Sequence, residues 1–173
     1  AAETTKRFAA DNLDAAKLSS ADLSIAQEKG LEVISYDNTV WAVLVNQKDE
    51  TLQNRDICKA LALSLQRESY SGILPTYLKA MSQLIPSTVS VSGENYREHA
   101  ASVGVGYQPE VAAQKMAAGL SALEVDRLPR LTILCPDSDD AYATVIGYIA
   151  QVWQKDFSAF VGVEKLSLSD LYA

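Results

Sequence analysis

The stretch from Leu131 to Leu168, "LTILCPDSDDAYATVIGYIAQVWQKDFSAFVGVEKLSL", constrains the fold more than any other. It opens on a short β-rich run, changes to helical period, and returns to strand character at "FVGVEKLSL". Between the two runs, Tyr142, Val145, Ile146, Ile149, Val152 and Trp153 recur at helical intervals and predict one buried stripe. "PDSDD" places Asp and Ser side chains where the first free N–H groups of that helix need acceptors. A chain that alternates these two periods must pack helices on a sheet, and the predicted class is α+β with a mixed β-sheet.

The same reading extends upstream. Residues 11–18 and Ser20 to Lys29 are predicted as two short helices, the second ending at Gly30, which tolerates the left-handed conformation. "LEVISYDNTVWAVLVN", Leu31 to Asn46, is rich in Val, Ile, Tyr, Trp and Thr around the turn pair Asp37 and Asn38, and predicts a β-hairpin. Its second arm, Val40 to Val45, is almost continuously apolar, so a central strand covered on both faces is expected. Asn54 is positioned to cap "RDICKALALSLQRESY", in which Ile57, Leu61, Ser64 and Leu65 share a face. Leu74 to Leu84, between Pro75 and Pro86, is a candidate short helix, and Ile85 to Gln108 a long loop with one helical turn near Tyr96. In "GYQPEVAAQKMAAGL", Pro109 suits the first helical position and Glu110 the positive end of the dipole. Ala112, Met116, Leu120 and Leu123 follow at helical spacing, with Gly119 near the end.

Composition narrows the functional classes. The 173 residues, 48% hydrophobic and 21% charged, fit one globular domain spanning 1–173. A net charge of -7 disfavours nucleic acid, whose phosphates are held by clustered Lys and Arg. No apolar run approaches the ~20 residues of a membrane span, and no basic-then-apolar start reads as a signal peptide, which a mature chain has in any case lost. Cys58 and Cys135 lack a CxxC spacing and a histidine partner, so they read as buried free thiols and no metal site is expected.

Groups able to do chemistry are sparse. His99 is the only histidine, and no serine sits in a GxSxG elbow. "GVGYQP" starts like a phosphate loop, but Pro109 stands where the third glycine belongs. Asp137, Asp139 and Asp140 lack the glycine and terminal glutamate of a calcium loop and are explained by helix capping. No cofactor is implied.

Four blocks in order carry a family resemblance: a strand ending at Asn46, "ALALSLQRE", "YQPEVA" and "LTILCPDSDDAYATVIGYIAQVWQKDF". Together they resemble the bacterial extracellular solute-binding proteins, family 5, of peptide and nickel ABC transporters. That family has a helix of the form VRxALSxAIDRE after the strand, then Y-D/N-P-E-x-A, then P-x-L-T-L and a helix with Trp. Asn46, Arg67, Glu68, Tyr107, Pro109, Glu110, Ala112, Leu131, Thr132 and Trp153 occupy those places, over about residues 31–173. The chain departs from the pattern at Asp56 and Cys58, where the family has arginines, at Gln66, and at Gln108.

The resemblance implies a single lobe of a two-lobed periplasmic-binding-protein type II clamp, extracytoplasmic or lipid-anchored at the outer face of the membrane. It implies a peptide or similar small ligand, a first lobe elsewhere in the same polypeptide, and an ABC-transporter permease as partner. The unfinished apolar face after Ser169, read as a helix cap in "SDLYA", accords with a piece of a longer polypeptide. By the same resemblance the strand "TVWAVLVN" and the loop "CPDSDD" approach the ligand, making Trp41, Val43, Asp137, Ser138 and Asp139 the candidate ligand-binding residues, with no catalytic residue. Trp41 supplies an aromatic wall in that reading, although a tryptophan in an apolar strand is also an ordinary core residue. Two other readings stay open: a hydrolase using His99 with Glu94 or Glu98, and a plain interaction domain marked by an exposed apolar patch.

Overall fold

Pro109 starts a helix of 14 residues, and Gln108 before it donates its backbone N–H to Leu63 O at 2.9 Å, joining two helices that pack together. The computed structural model describes residues 7–8, 13–16, 18, 20–35, 37–74, 78–100, 104–138 and 140–172. In chain order the elements are α1 (Ser20–Glu28), α2 (Glu50–Gln53), α3 (Arg55–Leu63), a 3-10 helix (Arg67–Gly72), β1 (Ser90–Val91) and β2 (Glu94–Asn95). There follow α4 (Tyr96–His99), α5 (Pro109–Ala122), β3 (Leu131–Pro136), α6 (Asp140–Phe157), β4 (Val161–Leu166) and α7 (Leu168–Leu171).

The strand, helix, strand reading of 131–168 is confirmed. β3 and β4 pair in parallel, Leu131 opposite Val161 through Pro136 opposite Leu166, with α6 as the connection that a parallel pair requires. Leu131, Ile133 and Cys135 are buried, whereas Thr132 and Leu134 on the other face are exposed. α6 lies on the buried face, with Ile149, Ala150 and Trp153 in the core and Val145, Ile146 and Val152 at its margin. Ile57, Ala60 and Leu61 of α3 and Met116 of α5 complete the same core. Trp153 donates its indole N–H to Leu61 O at 3.0 Å, so the buried ring leaves no unpaired donor. Among the described residues the strands form two separate pairs, β3–β4 and the antiparallel hairpin β1–β2, rather than one mixed sheet.

The caps follow local chemistry. Asn54 Oδ1 accepts from Asp56 N (2.9 Å) and Ile57 N (3.2 Å) as predicted. Gly30, at φ 65°, takes the left-handed turn after α1. The helix predicted from Asn54 through Tyr70 breaks after Leu63 and resumes as the 3-10 helix. There the Tyr70 hydroxyl is buried, with no hydrogen-bond partner among the described residues, and burial pushes its pKa up to about 12.

Several expectations are corrected. The described residues of 31–46 form no strand, and Tyr36 lies outside them. Val40–Val45 is not a covered central strand: Val43, Leu44 and Val45 are 42%, 90% and 38% exposed. β-propensity records fit to a pleated, half-buried surface, and among the described residues no neighbouring strand supplies that surface. Residues 13–16 and 18 are not helical, nor are 78–84, because runs this short form stable helices only where packing holds them. The cap near the C-terminal end is Ser167, whose Oγ accepts from Asp170 N at 3.2 Å, rather than Ser169. Both cysteines are free, Cys135 buried as expected but Cys58 only partly so, its Sγ donating to Leu52 O at 3.0 Å. Desolvation raises the Cys58 pKa.

Candidate functional site

Two of the predicted site residues, Asp137 and Ser138, lie just past β3, where loops leave the C-terminal ends of parallel strands. Crevices at such strand ends are where open α/β sheets bind their ligands. Asp137, the first residue past β3, donates its backbone N–H to Leu166 O at 2.9 Å, which fixes the loop against the last residue of β4. Asp137 and Ser138 are exposed. Asp139 lies outside the described residues. α6 then begins at Asp140, whose carboxylate accepts from Lys165 Nζ at 3.1 Å.

Trp41 reaches this place from a distant part of the sequence. Its ring stacks on Tyr142 in the first turn of α6, with centroids 3.7 Å apart and planes 19° from parallel. The structure thus brings Trp41 beside the helix that continues from the Asp137–Ser138 loop. Val43, two residues on, is exposed, and no hydrogen bond or ring contact among the described residues ties it to this group. The place offers an aromatic surface, a carboxylate and a hydroxyl, which suits holding a polar guest with an apolar part.

Tyr142 and Lys165 are the neighbours of the candidate residues that sequence reasoning did not single out. Tyr142 was assigned to the buried stripe of α6. Only its position in the first helical turn, past the last core-facing pair Val145 and Ile146, separated it from the others. Lys165 carried no signal beyond its charge.

His99 stands apart from the strand-end group. Its Nε2 lies 3.2 Å from Glu94 Oε2, so the pairing considered from sequence proximity exists, but the two side chains are 65% and 73% exposed. The pair therefore stands open to solvent rather than enclosed in a cleft. Among the described residues no group of three or more His, Cys, Asp and Glu side chains is disposed to hold a metal ion, and no helix is long and apolar enough to cross a membrane.

No protein-family model and no curated protein sequence matches the chain. Solved structures do. OppA of Listeria monocytogenes bound to peptide matches 99% of this chain and 35% of its own at 18% identity and a TM-score of 0.67. The substrate-binding domain of an oligopeptide ABC transporter from Bacillus anthracis matches 98% of this chain and 34% of its own, at 17% identity and a TM-score of 0.69. NikZ from Campylobacter jejuni in complex with Ni(L-His) matches 96% and 34%, at 17% identity and a TM-score of 0.61. The chain spans about a third of the length of these proteins. It has the α+β fold of one region of two-lobed, type II periplasmic-binding-protein structures, the group that its sequence blocks resemble.

Proposed function

We propose that this chain is part of the substrate-binding component of a peptide-type ABC transporter, one wall of a clamp that encloses an oligopeptide or dipeptide for import. One observation carries the reading: 99% of the chain aligns with a solved structure of a protein bound to peptide. The strand-end group supports it, because Trp41 with Asp137 and Ser138 would meet a peptide with an aromatic surface and backbone-directed polar groups, and Asp139 joins them in this reading from the sequence alone. In this reading Val43 lies at the margin of the wall, the residues 1–173 fold as one α+β domain, and the chain performs no reaction. The remainder of the clamp, a first lobe of the same polypeptide, covers the apolar side chains left open here, Leu44 at 90% and Ile34 at 81% exposure among them. The full protein works outside the cytoplasm, held at the outer face of the membrane or free in a periplasm, and hands its cargo to a membrane permease.

Isothermal titration of the longer protein containing this chain, against a mixture of random-sequence tripeptides to pentapeptides, tests the reading. Saturable heat is expected. Absence of binding across the mixture, with the protein folded by circular dichroism, overturns it.

The exposed apolar side chains also favour a second reading, an interaction domain whose partner is another protein. The two separate on one measurement: in the clamp reading Leu44 becomes buried in the longer protein, whereas an interaction domain leaves it open until its partner binds. Hydroxyl-radical footprinting at Leu44 in the longer protein alone distinguishes them.

A further inference from the structure

We infer that Tyr142 is a positioning residue for Trp41: it holds the indole on the first turn of α6 and thereby sets where the aromatic wall of the binding place stands, an inference that rests on the peptide-binding reading for its consequence but not for its geometry.

The argument starts from what holds residues 40–45. This segment has no regular secondary structure, and among the described residues no hydrogen bond ties it to the rest of the fold. Its flanks are anchored. Asp37 accepts from the hydroxyls of Ser87 and Thr88 and lies 3.8 Å from Lys79 Nζ. Asn46 accepts from Lys48 N at 3.0 Å through its side chain and from Asp49 N at 3.2 Å through its backbone. Between these anchors, among the described residues, the segment's ring contact is the stack of Trp41 on Tyr142. A tryptophan on an otherwise untethered backbone samples several rotamers, and a second ring against one face selects among them.

Tyr142 is suited to this by its place on α6. The buried stripe runs back along the helix from Trp153 and Ile149 through Ile146 and Val145, and Tyr142 continues it one turn beyond the core. Its ring therefore projects past the packed interior on a rigid element, and an aromatic ring is what it meets there. The helix start is fixed by Lys165 on Asp140 and the preceding loop by Asp137 N–H on Leu166 O. Tyr142 thus transfers the rigidity of the β3–α6–β4 unit to a residue some hundred positions earlier in the chain, and a preorganised wall loses less on binding than a mobile one.

The test uses Tyr142→Ala and Tyr142→Phe. Trp41 is partly exposed and Trp153 is buried, so acrylamide quenching distinguishes the two emitters, and Trp41→Phe identifies the accessible component. In the chain itself, Tyr142→Ala is expected to increase the quenchable fraction and shift the Trp41 emission to the red, while Tyr142→Phe, which keeps the ring, leaves both as in the parent. In the longer protein, titrated with the same random peptide mixture, Tyr142→Ala is expected to weaken binding by about 2-fold to about 10-fold, the range an aromatic pair supplies. Tyr142→Phe should bind as the parent does. Unchanged Trp41 quenching in Tyr142→Ala overturns the inference, and so does a freed Trp41 with peptide affinity undiminished. If the parent binds no peptide, the peptide reading fails, and the quenching result alone decides whether Tyr142 positions Trp41.

Discussion

Gly119 of α5 faces Ile57 of α3 so closely that a β-carbon added at Gly119 would sit 2.5 Å from Ile57 Cγ1 and 3.1 Å from Ile57 N. Both residues are buried, and with the α3 backbone close behind the Ile57 side chain there is little room for the added methyl. Gly119→Ala is expected to destabilise the chain by about 1–3 kcal/mol, the usual cost of overpacking, although alanine is the better helix former. Gly147 of α6 provides the control: a β-carbon there meets nothing within 4 Å. Gly147→Ala should stabilise by about 0.5–1 kcal/mol. Urea unfolding of both variants checks the pair, and a stabilised Gly119→Ala would show that the helices are free to move apart.

Asn54 works at the same contact from the other side. Its Oδ1 caps α3, and its Nδ2 donates to Gly119 O at 3.3 Å, so one side chain satisfies two N–H groups and reaches the facing helix. Asn54→Ala is expected to cost about 1–2 kcal/mol. Asn54→Asp keeps the cap acceptor and adds charge at a helix start, but loses the donor to Gly119 O. It should therefore fall between the parent and Asn54→Ala in urea midpoint, and an Asn54→Ala midpoint equal to the parent would remove the cap from the account.

The sequence was readable where a local cause decides the local structure. Pro109, Glu110 and the apolar spacing of Ala112 and Met116 determine α5 without help from elsewhere, and the period changes around Leu131 and Val161 mark β3 and β4. It was unreadable where a partner decides. Val40–Val45 has the composition of a strand, but ladder bonds come from a neighbour, and none is present among the described residues. The candidate site was legible only in part. Asp137 and Ser138 were proposed from the family resemblance, whereas the stack of Trp41 on Tyr142 joins residues about a hundred apart by a contact with no periodic signature.

Trp153 binds the two halves of the core through a single polar atom. Its Nε1 donates to Leu61 O, a carbonyl near the C-terminal end of α3, inside a ring of apolar side chains. Trp153→Phe removes the donor and part of the ring volume. Leu61 O keeps the bond from the Ser64 hydroxyl at 3.0 Å, so losing the indole donor is expected to cost about 0.5–1.5 kcal/mol, with a further cavity contribution. Trp153→Phe should therefore lower the thermal midpoint more than Trp41→Phe, whose ring is outside the core. The reverse order, measured by calorimetry, would refute the placement of Trp153 as the buried joint.

Asp56 and Lys115 join α3 to α5 by an ion pair, Nζ to Oδ1 at 2.8 Å, with both side chains 38% exposed. The Lys115 hydrogen bond draws the Asp56 pKa below its ordinary value of 3.8; desolvation opposes this, and the charges of Lys115 and Lys59 add to the lowering. A carboxyl with a depressed folded-state pKa stabilises the folded chain above its ordinary value and loses that contribution as pH falls through the depressed one. Lys115→Met removes the hydrogen bond and the nearer charge while keeping the stem. It should be less stable than the parent at neutral pH, with the gap closing as the pH falls below about 4. Because the pair is exposed, the gap should be small and should shrink with added salt. Urea midpoints of the two proteins across that pH range measure it directly. A gap that stays constant into acid would mean that the lost stability comes from packing of the Lys115 stem and not from the charge on Asp56.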